Sequence, residues 1–145
     1  MNIPWYVTAL AAALIWGVHY PLVDFALKRI SVFSVLMLTV LPVVLLMPVF
    51  MRDIARDLDA VRVLPGIEQG MIAAIGLTSL LGAVLLYLSI AGKNATLASL
   101  IEITYPVFVA FFAYAIFRHV HVNASVIVGG LLVMAGAGLI IYNNQ

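Results

Sequence analysis

One carboxylate stands where its surroundings give it no obvious local use. Glu102 lies near the start of SLIEITYPVFVAFFAYAIF (residues 99–117), with no Lys or Arg within four residues on either side. That spacing excludes a helix-surface ion pair, and the apolar flanks argue against a turn. At helical spacing, Ser99, Glu102, Tyr105, Pro106 and Val109 fall on one face. Trp16, His19, Tyr20 and Val23 recur at three and four residues in an earlier apolar run. Two such stripes turned to one space would give it aromatic walls, a carboxylate, an imidazole and hydroxyls. Ionisable groups held away from water are costly, and they typically pair with one another or line a substrate or proton path. Glu102 would then carry a proton that alternates with substrate, or join His19 as a static tie between two helices.

Composition fixes the setting of those groups. Of 145 residues, 66% are hydrophobic and 9% charged, with mean hydropathy +1.20. A soluble domain carries about 25% charged residues, so this is an integral membrane protein. With no Cys, a disulfide framework and a thiolate metal site are both excluded. A net charge of +1 offers no basic field for nucleic acid. No nucleophile–base set or metal-ligand set appears, and no cofactor is expected; His119 and His121 read as loop histidines.

A bilayer core of about 30 Å needs about 20 apolar residues in helix. Between its charged residues the chain offers five such runs, at about 4–26, 31–51, 70–92, 95–117 and 123–142. Helices are required, since lipid gives backbone groups no partners, and the missing polar/apolar alternation excludes a barrel. The expected fold is an all-α integral membrane protein with five transmembrane helices in one domain, 1–145. Most connections are tight. The longer segment 51–70 sets Ile54, Leu58 and Val61 at helical spacing among charges, which suggests a short separate helix stopped by Pro65-Gly66. Trp5, Tyr6 and Tyr142 sit at span ends, where aromatic belts belong.

An odd number of spans puts the two ends of the chain on opposite faces. The face of the first residue then holds Arg52, Arg56, Arg62 and Arg118, against Lys28, Arg29 and Lys93 on the other. Four against three is almost no bias by the positive-inside rule, so either the topology is weakly set or both orientations occur in one membrane. By depth, His19 and Glu102 each lie about 6 Å from their span centres, at 1.5 Å per residue. Both are displaced toward the second face. Tyr20, Tyr87, Ser99 and Asp24 share that half, with Asp24 four residues before Lys28 in the favourable helix pairing. Pro21, Pro42 and Pro106 each remove a backbone bond inside a span and mark kinks. Ser125, Gly129 and Gly136 head a small-residue surface on the last span, of the kind used for close helix packing.

Three motifs in order resemble one family. Leu14-Ile15-Trp16-Gly17 in the first span is similar to the opening of drug/metabolite transporter repeats of the EamA type. Ala98-Ser99 leading to Tyr105-Pro106-Val107-Phe108 is similar to their fourth helix, and Gly129-Gly130-Leu131-Leu132 with Ala135-Gly136 to their closing one. The chain departs from the pattern where Phe117-Arg118-His119 replaces a glutamate, and where span two lacks an early arginine. The resemblance implies one five-helix half of an inverted-repeat transporter. Such a half would work as an antiparallel homodimer or as a heterodimer with a related small subunit, in the bacterial inner (plasma) membrane. It implies export of a small organic metabolite, an amino acid or an amphipathic cation among them. A different reading makes the chain a flippase for lipid-linked substrates, or an accessory subunit with no solute cycle of its own.

Overall fold

Polar residues at the heads of apolar runs decide where several helices begin. Ser31, Asn94 and Asn123 each turn a side-chain oxygen onto a backbone N–H three residues on, at 3.2, 2.9 and 3.0 Å. Each satisfies a donor that the first helical turn leaves open. The computed structural model describes residues 3–118 and 123–144, so His119 and His121 lie outside the described residues. Within these, the chain forms α1 (Trp5–Leu27), α2 (Val32–Arg62), α3 (Gly66–Gly92), α4 (Ala95–Glu102), α5 (Tyr105–Phe117) and α6 (Ala124–Asn143). Taking α4 and α5 together, five segments of 20 to 31 residues are long and apolar enough to cross a membrane. The protein is an all-helical integral membrane protein.

Two elements differ from the sequence expectation. The charged stretch after Met51 is not a separate helix: α2 runs unbroken for 31 residues to Arg62, about 46 Å at 1.5 Å per residue. No Gly or Pro interrupts residues 51–62, so the backbone continues where its surroundings change. Arg56 pairs with Asp53 and Asp57, and Arg62 with Asp59, along this extension. The Gln69 amide then donates to the carbonyl oxygens of Leu64 and Arg62 at 2.8 and 3.3 Å, closing the end of α2. The second difference is that span four is divided at Ile103 and Thr104. Pro106 lies at the start of α5 and has no N–H to return to the Glu102 carbonyl. The ladder therefore tightens before it, with Thr104 N–H donating to the Ile101 carbonyl at 3.1 Å. Pro21 and Pro42, by contrast, are carried inside continuous helices.

The chain divides into two compact units, Met1–Leu22 with Gly92–Gln145, and Val23–Ala91. In the first, α4 packs on α6, and the buried side chains are Ala95, Ala98 and Ala137. Small residues let helix backbones approach closely, which is how helices associate where lipid is the solvent. Gly130 faces Val107 of α5, whose Cγ2 would lie 3.3 Å from an added Cβ. In the second unit the buried side chains are Val23, Val35, Leu36, Tyr87 and Ile90. Val23 lies near the end of α1, and the others sit at the start of α2 and the end of α3, far along both helices from the turn that joins them. Along α2, Val40 to Met51 remain exposed, an apolar face suited to lipid.

Candidate functional site

Glu102 is the last residue of α4, and the tyrosine that meets it comes from α1. Tyr20 Oη donates to Glu102 Oε2 at 2.7 Å, across 82 residues of sequence, with the pair partly buried. The donor sits in a small aromatic group. Trp16 and His19 meet edge to face at 5.1 Å, and Trp16 and Tyr20 are tilted at 5.5 Å. His19 and Tyr20 lie 6.1 Å apart. Helical spacing of three and four residues brings these rings onto one side of α1. Trp16 itself is 51% exposed.

Among the described residues, Lys28 pairs with Asp24 and three ion pairs lie on the α2 extension, and Glu102 enters none of these. Its Oε1 has no partner among the described residues, and it is not sealed in. A carboxyl with one bond from a phenol, at a helix end inside the apolar span, can accept a proton or a cation at its open oxygen.

The remaining sequence candidates divide. Ser99 is half-buried, but its hydroxyl turns back to the Thr96 carbonyl at 3.0 Å. Tyr105 is 58% exposed and does not join the Tyr20–Glu102 bond. The expected stripe from Ser99 to Tyr105 assumes an unbroken helix, and the interruption at Ile103–Thr104 changes the phase between them. Asp24 pairs with Lys28 at 3.3 Å, and Tyr87 is buried at 4% exposure; both belong to the second unit. Pro21 lies inside α1 and Pro106 opens α5. Ser125 and Gly129 are exposed, and an added Cβ at Gly129 or Gly136 would meet nothing within 4 Å. Sequence reasoning missed the helix end at Glu102; the signal for it was a proline four residues on, behind two β-branched residues.

Residues 3–142 match the model of the EamA-like transporter family. The chain belongs to the EamA-like transporter family. No curated protein and no solved structure matches it. Membership makes this EamA-like protein a membrane transporter of small molecules.

Proposed function

We propose that this protein is a half-sized secondary transporter that moves a small organic metabolite by alternating access. The five-helix unit works as an antiparallel pair, with a second copy as the leading partner and a related small subunit as the other. Proton coupling runs through Glu102. The observation that carries the reading is the Tyr20–Glu102 bond at the divided span, where a carboxyl outside the Lys28 and α2 ion pairs of the described residues keeps one oxygen open. Trp16, His19 and Tyr20 supply the wall beside it, and Pro21 and Pro106 the points of flexure. The near-balance of Lys and Arg on the two faces supports insertion in both senses. The open surface around Gly129 and Gly136 supports a helix seam to the partner, with Ser125 at its head.

The test is pH-gradient-driven substrate movement in vesicles. Glu102→Gln should abolish uphill movement while leaving downhill exchange measurable. A Glu102→Gln protein that assembles and still concentrates substrate against its gradient would refute the coupling. One-sided tags at the C-terminal end should report both orientations in cells; a single strict orientation would remove the antiparallel homodimer.

A further inference from the structure

We infer that an anionic phospholipid is a resident partner of this protein, with one acyl chain in a groove along the first half of α2 and its phosphate at the α1–α2 turn. The lipid is held there and not carried. The site belongs to the second unit and is independent of Glu102. Three features support it.

The first is the size and depth of the groove. Its volume is about 470 Å³, and Ser34, Met37, Leu38, Val40, Leu41 and Val44 of α2 line it. From Ser34 to Val44 the helix rises about 15 Å at 1.5 Å per residue, half of a hydrocarbon core of about 30 Å. The groove is therefore about as long as one leaflet is thick, and its polar residue, Ser34, stands at the end nearest the turn. The second feature is that head. Ser31 caps α2 by accepting the Ser34 N–H at 3.2 Å, and the two serine hydroxyls lie 3.0 Å apart. A bond between two hydroxyls uses one proton and leaves the other for an ester or phosphate oxygen. Two residues before the cap, Arg29 donates from Nη1 to the Phe25 carbonyl at 2.8 Å, with its guanidinium carbon 3.6 Å from the Phe25 ring centre. Arg29 takes no part in the Lys28–Asp24 ion pair or in those of the α2 extension, and its remaining N–H groups suit a phosphate. With Lys28 and Arg29 against Asp24, this end carries an excess of one positive charge, which favours an anionic headgroup.

The third feature selects a lipid over a second helix. Residues 34–44 contain no Gly or Ala, whereas helices that pack together in a membrane use small residues for close approach. The walls are Met, Leu and Val side chains, 47–66% exposed. A flexible acyl chain can follow that surface where a rigid helix would stand off from it.

The experiment adds defined lipids to the delipidated full chain and counts those retained, by native mass spectrometry. Phosphatidylglycerol should stay bound as a single molecule, about tenfold tighter than phosphatidylcholine. Diacylglycerol should be weaker still, and glycerol phosphate, which has no acyl chain, should not be retained. This comparison uses the unaltered protein, so it stands whether or not a variant folds. Leu41→Trp fills the groove and should lower phosphatidylglycerol retention about tenfold. Val43→Trp puts the same bulk on the opposite side of α2, about two and a half turns from Ser34 at 3.6 residues per turn, and should leave retention unchanged. Equal retention of all three lipids, unaffected by Leu41→Trp, would mean ordinary annular contact only and would overturn the inference. Retention of glycerol phosphate would overturn it too, by making the turn a site for soluble anions. The chain has no Cys, so Leu41→Cys gives a single cross-linking point; efficient disulfide-linked dimers through it in a bilayer would place a second copy in the groove and end the lipid assignment.

Discussion

The hydrogen bond between Tyr20 and Glu102 joins α1 to the end of α4, and its strength can be isolated. Tyr20→Phe removes the phenolic oxygen and keeps the ring that stands against Trp16. Glu102→Met removes the carboxyl at similar length. Hydrogen bonds between membrane helices average about 0.6 kcal/mol and reach about 1.7, while bonds to a charged partner are worth about 1.5–3 kcal/mol. The 2.7 Å separation is typical of a strong O–H···O contact, and partial burial limits competition from water. A coupling energy of about 1–2 kcal/mol is therefore expected from the double-mutant cycle, read by reversible unfolding in mixed micelles. Each single variant should lose about that amount and the double variant little more. Additive losses, with coupling within about 0.3 kcal/mol of zero, would mean that the two groups do not act as a pair.

Three further outcomes follow from the same geometry. Asn94→Ala removes the cap of an eight-residue helix; a loss of about 1 kcal/mol is expected in the same unfolding assay, with slower substrate exchange because Glu102 stands at the other end. Gly130→Ala brings a methyl to 3.3 Å from Val107, whereas Gly129→Ala meets open space. The first should be less stable than the second by about 0.5–1 kcal/mol, and cross-linking should show that Gly129→Ala, not Gly130→Ala, weakens the proposed dimer. Pro106→Ala restores an N–H at position 106 that can reach the Glu102 carbonyl. Hydrogen exchange over residues 103–107 should slow, and transport should fall even though stability does not.

Apolar length between charges was enough to locate the membrane-crossing segments, because hydrocarbon thickness constrains helix length directly. Burial of single side chains was less legible. Ser99 and Tyr105 were placed with Glu102 by a periodicity that holds only along a continuous helix, and the division at Ile103–Thr104 breaks that phase. Pro106 announced a disturbance at the right place, but whether a proline bends a helix or ends it depends on what surrounds the freed carbonyl. Pro21 and Pro42 show the other outcome in the same chain. The extension of α2 was hidden for a different reason. A run of charges marks where the solvent changes, and the backbone need not respond when no Gly or Pro obliges it to.

The two ends of α4 are held differently, and that difference suits a moving part. At its start, the Asn94 cap and the buried Ala95 and Ala98 fix the helix where α4 packs on α6. At its end the regular ladder stops, and Glu102 is tied across to α1 by one hydrogen bond from Tyr20. Rotating α5 about residues 103–104 meets one backbone bond fewer than in a continuous helix, because Pro106 has no N–H for the Glu102 carbonyl, although the Thr104 N–H still holds the Ile101 carbonyl. In the proposed cycle the occupant of Glu102 then matters mechanically. A proton at the open oxygen makes the carboxyl neutral and weakens its hold on the Tyr20 hydroxyl, since a charged acceptor binds about twice as strongly as a neutral one. A substrate that displaces that proton leaves the carboxylate charged and the tie strong. Exchanging one for the other would change how firmly the hinge is pinned to α1, which couples occupancy to motion without any second ionisable group.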